Sequence, residues 1–272
     1  MPEHSDRQPH DAAPEQSATA DPASAAEPEP DETTRRPPAG ARLVLATHNP
    51  GKLAELRTML ADLLPELDVE RAVIDAGTAG LPEVAETGTT FEANALLKAR
   101  AAARACGLPA VADDSGLAVD VLHGAPGILS ARWAGRHGDD TANLALLLAQ
   151  LQDIGDEDRG AGFVCAAALV SPDGLENVEL GRLRGRLTRE PAGEHGFGYD
   201  PVLQPEGLEE TCAQLEPEHK NRISHRARAM AALAPHLVRL LRSAPAAPSA
   251  GAAPASSSSA GSSPSDAGSE VS

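Results

Sequence analysis

Residues 42–56 read RLVLATHNPGKLAEL, a stretch that passes from an apolar strand through a polar turn into a helix. The strand is predicted at Arg42–Ala46, because this run is largely apolar and turn-forming residues follow it. From Lys52 onward apolar residues recur at helical spacing, which places them on one face of a helix. A strand that leads straight into a helix is typical of the α/β class.

Further predicted helices and strands alternate along the chain. A second helix is predicted after Thr89, because Thr89 and Glu92 have the spacing of a capping box and Gly107 is well placed to end the helix. Other predicted elements are strands at 110–112 and 163–170, and helices around 144–151 and from about 224. Since strands and helices mix throughout, the sequence predicts an α/β fold.

The two ends of the chain differ in composition from its middle. Residues 1–40 are rich in Ala, Pro and acidic residues, and residues 243–272 are almost entirely Ala, Ser, Pro and Gly. Segments of this kind bury too little apolar surface to offset the entropy of ordering them. Both ends are therefore predicted to be disordered tails, and residues 41–242 to form one folded domain.

The chain carries a formal net charge of −17 at pH 7. The charged residues of the two tails contribute −6 and −2, which leaves −9 on the middle. A surface with this charge repels a polyanion, so we expect no nucleic-acid partner. Any chemistry on phosphate groups would need local cations or a metal ion to counter the field of the protein.

The cysteines and the hydropathy pattern bear on the compartment of the protein. Cys106, Cys165 and Cys212 are far apart and form no CxxC pair, so we expect neither a zinc site nor a disulfide framework. No basic patch followed by an apolar stretch stands at the N-terminus, and no run of about 18 apolar residues occurs. We therefore expect a cytoplasmic protein that does not enter a membrane.

A polar loop joins the first strand to the first helix. It consists of Thr47, His48, Asn49, Pro50, Gly51 and Lys52. Because a helix N-terminus attracts anions, this is a candidate phosphate loop. It is not a Walker A loop, since Ala46 and Leu53 stand where that motif has its first Gly and its final Ser or Thr. Taken alone, an ordinary turn with an exposed lysine explains it equally well.

Two carboxylates, Asp113 and Asp114, directly follow the predicted strand at 110–112. Neighbouring residues on a strand point to opposite faces, so only one of them can serve a given pocket. Carboxylates suit Mg²⁺, which usually takes one or two of them and keeps waters and phosphate oxygens as its other ligands. Acidic residues in turns also cap helices and bind backbone N–H groups, so a structural role is the open alternative.

A glycine-bracketed loop, residues 196–201, holds Phe197 and Tyr199, two of the five aromatic residues of the chain. Stacking on a planar base is one explanation, and a small hydrophobic cluster under the loop is the other. Donors and positive charge gather further on, around a predicted helix start that binds a ligand or is simply a capped, solvated terminus. These residues are Lys220, Ser224, His225 and Arg226.

Five longer stretches occur in an order that identifies a family. They are LVLATHNPGKLAEL, ETGTTFEANALLKA, PAVADDSGLAVDVLHGAPGILSARWAG, REPAGEHGFGYDPV and KNRISHRARA, and they span roughly residues 42–234. In this order they resemble the inosine triphosphate pyrophosphatase family, the non-canonical purine nucleotide or dITP/XTP pyrophosphatases. The resemblance implies an elongated mixed β-sheet flanked by helices, two lobes with a central nucleotide cleft, and a homodimer.

The resemblance also implies an activity and its residues. The activity is the Mg²⁺-dependent hydrolysis of ITP, dITP and XTP to the monophosphate and pyrophosphate. Asp114 would accept a proton and, with Glu86, bind Mg²⁺. The residues implied to contact the substrate are Thr47, His48, Asn49, Pro50, Gly51 and Lys52 at the triphosphate, Ser115, then Phe197, Gly198, Tyr199 and Asp200 around the base, and Lys220, His225 and Arg226.

One position departs from the family pattern. The family commonly has Glu directly before the Asn of its FxENA motif, and here Ala93 stands in that place, with Glu92 one residue earlier. On a helix this offset turns a side chain by about 100°, so Glu92 is interpreted as the capping-box residue. Metal affinity is expected to be weaker if the family Glu binds Mg²⁺. A pyrophosphatase for other modified nucleotides and a non-catalytic nucleotide-binding protein are the alternative functions.

Overall fold

The computed structural model describes residues 37–243. Almost all of the two predicted tails lies outside these residues, so their disorder stays a prediction. Among the described residues no helix is both long and apolar enough to cross a membrane.

The centre of the structure is a mixed sheet. Its strands are β1 (Leu43–Leu45), β2 (Val73–Asp75), β3 (Ala110–Val119), β4 (Gly160–Val170), β5 (Glu176–Leu187) and β6 (Leu203–Pro205). The six strands lie in the order β2-β1-β3-β4-β5-β6. β1 pairs in parallel with β2 and β3, and every pair from β3 to β6 is antiparallel. β4 and β5 form the hairpin around the Pro-Asp-Gly turn at 172–174.

Helices cover both faces of this sheet. They are α1 (Pro50–Leu63), α2 (Val69–Ala72), α3 (Ala76–Ala79), α4 (Phe91–Cys106), α5 (Asp140–Gln150), α6 (Pro217–Ile223) and α7 (His225–Ser243), with 3-10 turns at Gly127–Arg132 and Asp156–Asp158. The predicted mixed α/β sheet flanked by helices is confirmed. The arrangement in two lobes around a central cleft stays a prediction.

The two faces of β3 meet different helices. On one face, leucines of α1 and α7 pack with Val111 and the odd-numbered residues of β4. On the other face, alanines of α4 pack closely with Ala110, Ala112 and the even-numbered residues of β4. Because alternate residues of a strand face opposite ways, Asp113 lies on the α1/α7 face and Asp114 on the α4 face. A third cluster, around α5 and the far ends of β3 to β5, supports the loop at 196–201.

The predicted start of α4 needs correction. α4 begins one residue later than the capping box of Thr89 and Glu92 requires: its N-cap is Thr90, whose Oγ1 accepts a hydrogen bond from the Ala93 N–H at 3.1 Å. Ala93 therefore occupies the third position of the helix, and the interpretation of Glu92 as the capping-box residue is wrong. Gly107 does end α4, with a φ of +63° that glycine adopts readily.

Candidate functional site

Two cavities adjoin β3, and Lys52 lines both. The α4 cavity has a volume of about 500 Å³ and is lined by residues that include Thr47, His48, Lys52, Glu86, Lys98 and Asp113. The aromatic cavity has a volume of about 240 Å³. Its lining includes Asn49, Gly51, Lys52, Ser115, Phe163, Phe197, Gly198, Tyr199, Asp200, Lys220, His225 and Arg226. Of the predicted site residues, Pro50 and Asp114 line neither of these two cavities.

The predicted phosphate loop forms the N-terminus of α1. Asn49 is the N-cap: its Oδ1 accepts hydrogen bonds from the N–H groups of Gly51 at 2.9 Å and Lys52 at 3.4 Å. Thr47 in turn accepts a bond from the Asn49 N–H through Oγ1 at 3.2 Å. Pro50 stands at the first helical position, where its missing N–H costs nothing. The loop is thus held in one conformation that directs Lys52 towards the two cavities.

Asp113 is held between two cations. Both of its oxygens accept hydrogen bonds from Lys52 Nζ, at 3.0 and 2.8 Å, and Oδ2 also accepts one from Arg226 Nε at 3.1 Å. Burial acts to raise the pKa of Asp113, but the charges of Lys52 and Arg226 outweigh it and hold this pKa well below its usual range. The Asp113 carboxylate therefore stays ionised and fixes the side chains of residues that are far apart in sequence.

Asp114, one residue later, shares a single cation with Glu86. Lys98 Nζ donates to Glu86 Oε1 at 2.7 Å and to Asp114 Oδ1 at 3.4 Å, and Asn94 Nδ2 donates to Asp114 Oδ2 at 3.1 Å. Burial raises the pKa of Asp114, and the nearby Glu86 adds to this effect, although Lys98 opposes it. Of the two neighbouring carboxylates, Asp114 is therefore the one that gains a proton more easily.

The site residues predicted from the sequence did not include Lys98 and Asn94. A signal for them was present, because the two residues are four positions apart on a predicted helix and so share a face. Glu86, the carboxylate that pairs with Lys98, lies in a loop without periodicity, so nothing in the local pattern placed it beside Lys98.

The loop at 196–201 contains one aromatic side chain buried in a hydrophobic cluster, Tyr199, and one that is exposed, Phe197. Tyr199 is buried in the cluster beneath the loop, and its hydroxyl donates a hydrogen bond to Ser130 O at 3.0 Å. Phe197, in contrast, is 68% exposed and lies at the mouth of the aromatic cavity, with Lys220 Nζ 5.1 Å from its ring centre. Stacking on a planar ligand is thus open to Phe197 and closed to Tyr199.

Asp200 fastens this loop to α6. Its Oδ2 accepts a hydrogen bond from the Phe197 N–H at 2.8 Å and another from Lys220 Nζ. The Gly198 N–H donates a hydrogen bond to Asp140 Oδ2 at 2.9 Å. Both anchors hold the backbone that carries Phe197, while its side chain stays largely exposed.

His225 begins α7 at the wall of the aromatic cavity. Its ring stacks on Phe163, with the ring centres 5.0 Å apart and the planes at 28°. Burial, with the charges of Arg226 and Lys220, lowers the pKa of His225 to about 3. The imidazole is therefore neutral at pH 7, and its buried Nδ1 has no hydrogen-bond partner among residues 37–243. A neutral imidazole has one donor nitrogen and one acceptor nitrogen.

Comparisons with known proteins show what this chain is similar to. A model of the Ham1 family matches residues 43–236. The dITP/XTP pyrophosphatase of Streptomyces coelicolor is 63% identical over 200 residues, which cover 74% of this chain and 98% of that protein. The dITP/XTP pyrophosphatase of Streptomyces avermitilis is 62% identical over 202 residues, covering 74% of this chain and 98% of its own.

Solved structures show the same fold. The nucleoside-triphosphatase or dITP/XTP pyrophosphatase of Mycobacterium abscessus superposes with a TM-score of 0.61 at 53% identity, covering 71% of this chain and 99% of that one. The Staphylococcus aureus Ham1 protein gives a TM-score of 0.64 at 40% identity, covering 72% and 97%. The family resemblance seen in the five stretches is confirmed, and this chain belongs to the Ham1 family.

Proposed function

We propose that this protein hydrolyses non-canonical purine nucleoside triphosphates, namely ITP, dITP and XTP, to the monophosphate and pyrophosphate. The names of the close relatives support this activity. The observation that carries the proposal is the position of Lys52, which lines both cavities. A single nucleotide can place its base in the aromatic cavity and its phosphates in the α4 cavity, with Lys52 beside the chain between them.

Magnesium is part of the proposal, and the donor groups fit it. Glu86 and Asp114 both contact Lys98 Nζ, so the two carboxylates converge on one cationic position. Among the described residues no group of three or more His, Cys, Asp or Glu is placed to hold a metal ion. A pair of carboxylates suits Mg²⁺, which takes its remaining ligands from water and phosphate oxygens. When bound, the ion would spread the negative charge of the triphosphate.

Asp114 is proposed to accept the proton of the water that attacks the α-phosphorus. Its raised pKa makes it a better base than an ordinary aspartate. Asn94 and Lys98 fix both of its oxygens, so the carboxylate keeps one orientation. Lys52, beside the phosphate chain, would neutralise part of the charge on the departing pyrophosphate.

Selection of the base is proposed to rest on His225 and Arg226. Hypoxanthine and xanthine carry a 6-oxo group that accepts hydrogen bonds, whereas adenine carries a 6-amino group that donates them. The neutral His225 lines the aromatic cavity and carries one ring N–H, and Arg226 has guanidinium N–H groups besides the one bound to Asp113. A donor that faces another donor leaves both unpaired, and sites of this kind discriminate by roughly 10⁴-fold.

A homodimer and a cytoplasmic location complete the proposal: the dimer rests on the family resemblance, and the location rests on the cysteine spacing and the hydropathy pattern of the sequence. Several large apolar side chains, among them Leu129, Leu175 and Leu180, are about 40% exposed and are available to a second copy. Light scattering on the purified chain should give twice the mass of one chain. The mass of a single chain at micromolar concentration would contradict the dimer.

The proposed activity is tested by pyrophosphate release from a panel of nucleotides with Mg²⁺ present. ITP, dITP and XTP should turn over far faster than ATP, whose base carries the 6-amino group. Equal rates on all four would contradict base selection, and faster release from modified pyrimidine or methylated nucleotides would favour a different substrate class. Tight binding of ITP without any pyrophosphate release would favour a non-catalytic nucleotide-binding protein.

A further inference from the structure

The α4 cavity contains a cation that pairs with no acidic side chain among residues 37–243. Arg132 ends the 3-10 turn Gly127–Arg132, is half-buried and lines this cavity. Within residues 37–243 its side chain has no hydrogen bond or ion pair. The two lysines of the same cavity are already engaged: Lys52 with Asp113, and Lys98 with both Glu86 and Asp114. Arg132 is therefore the cavity cation whose full charge is available to an anion.

The backbone around Arg132 is fixed although its side chain is free. Ala131 O accepts hydrogen bonds from Asn143 Nδ2 at 3.1 Å and from the Gly138 N–H at 2.8 Å. Asn143, which is buried, also accepts one from the Ala134 N–H through Oδ1 at 2.7 Å. One buried amide thus holds the chain on both sides of Arg132. A guanidinium on such a support loses little backbone freedom when it binds a ligand.

The same segment joins the two cavities. Ser130 and Ala131 line the aromatic cavity, whereas Arg132 lines the α4 cavity. Ser130 is fixed as well, since its Oγ accepts from the Leu117 N–H at 2.9 Å and donates to Gly127 O at 2.6 Å. A nucleotide that extends from one cavity into the other would therefore pass both Lys52 and the segment 130–132, and Arg132 would meet the part of it that lies in the α4 cavity.

We propose that the Arg132 guanidinium binds the β- and γ-phosphates, which depart together as pyrophosphate. This inference rests on the proposed function and adds a substrate-binding residue to it. A planar guanidinium matches phosphate oxygens with two parallel hydrogen bonds, which a lysine cannot reproduce. The monophosphate product lacks the groups that Arg132 contacts, so this side chain recognises the triphosphate and the pyrophosphate but not the monophosphate.

The test measures binding in the full-length chain by calorimetry, with inorganic pyrophosphate plus Mg²⁺ and with IMP as the two probes. Arg132→Ala should weaken pyrophosphate binding about 10- to 100-fold, because it removes charge-assisted hydrogen bonds, and should change IMP binding less than about twofold. Arg132→Lys should recover only part of the loss. Arg136→Ala is the matched control, since Arg136 is exposed on the same loop and lines neither cavity.

Three outcomes would overturn the inference. Pyrophosphate binding that is unchanged in Arg132→Ala would show that the guanidinium does not reach the phosphates. Equal losses for pyrophosphate and IMP, or an equal loss in Arg136→Ala, would point to a general structural or electrostatic effect. Failure of the proposed function is distinguishable, because it is seen as absent pyrophosphate release from ITP in the unaltered protein, while the binding measurement needs no turnover.

Discussion

Asp113 and Asp114 are neighbours on β3, yet the two faces of the sheet give them opposite properties. On the α1/α7 face Asp113 has two cations to itself, Lys52 and Arg226, and its pKa falls. On the α4 face Asp114 shares one ammonium with Glu86, and its pKa rises. The number of cations per carboxylate thus separates a residue that holds the site together from one that is suited to move a proton.

The largest expected effect is a loss of kcat when Asp114, on the α4 face, is replaced. Asp114→Asn keeps the shape of the side chain and removes its ability to accept a proton, so kcat for ITP should fall by about 10³-fold. The midpoint of thermal unfolding should not fall, because burial disfavours the charged form of this carboxyl. Steady-state pyrophosphate release and a thermal melt measure the two quantities, and a near-normal kcat would reject the catalytic role.

Asp113→Asn probes the other face and should act mainly on stability. It leaves the half-buried cations Lys52 and Arg226 without their shared carboxylate, so the free energy of unfolding at pH 7 should drop by about 3 kcal/mol. Because the folded-state pKa is lowered, the contribution of Asp113 is present at neutral pH and is lost only as pH falls through that low value.

Urea unfolding measures the loss, with Asp120→Asn as the matched control. Asp120 pairs with Arg184 at 2.6 Å, but about half of each side chain is exposed, so this variant should lose less than about 1 kcal/mol. Similar losses for the two variants would contradict the structural role of Asp113.

The pH profile of activity gives a third, smaller effect. Asp114 must be ionised to accept a proton, so kcat/KM should fall on the acid side, below a pKa that is higher than that of an ordinary aspartate. Lys98 is the cation that opposes this rise, and Lys98→Met should therefore move the acid limb to higher pH. Arg104→Met, on the exposed side of α4, should leave the limb in place. A shift of the acid limb to lower pH in Lys98→Met would contradict the proposed effect of Lys98 on the pKa of Asp114.

The smallest effect concerns the start of α4, which carries Asn94 and Lys98 towards Asp114. Because Thr90 is the N-cap and Ala93 the third helical residue, Ala93→Glu should complete a capping box and raise the free energy of unfolding by about 0.5–1 kcal/mol. Ala93→Gln should act similarly, since Gln also serves in this box, and Ala93→Met should not. A large change in the Mg²⁺ requirement of Ala93→Glu, without added stability, would favour a metal role for this position.

The sequence was most informative where a local pattern carries the structure. The strand-to-helix passage at 42–56, the alternation that separates Asp113 from Asp114, and the Gly107 terminus of α4 all follow from short-range rules. The start of α4 was misplaced by one residue because Thr89 and Thr90 both satisfy the local cap rule. The elements α2, β2, α3 and β6 contain only three or four residues each, too few to show a period.

Contacts between distant segments could not be predicted in the same way. Asp113 and Arg226 are 113 positions apart, and no local spacing relates them. Glu86 and Arg132 lie in irregular or short segments, so their approach to the α4 cavity depends on how the whole sheet is covered. The family resemblance implied roles for Glu86 and Asp114, but it did not predict that the Lys98 ammonium lies between them.

The most direct test of the division between the two faces is the Mg²⁺ requirement for pyrophosphate release from ITP. At a temperature where both variants are folded, we expect Glu86→Gln to raise the Mg²⁺ concentration for half-maximal rate at least about tenfold. Asp113→Asn should change this concentration less than about twofold. A raised requirement in Asp113→Asn together with an unchanged one in Glu86→Gln would place the metal on the other face and contradict the account.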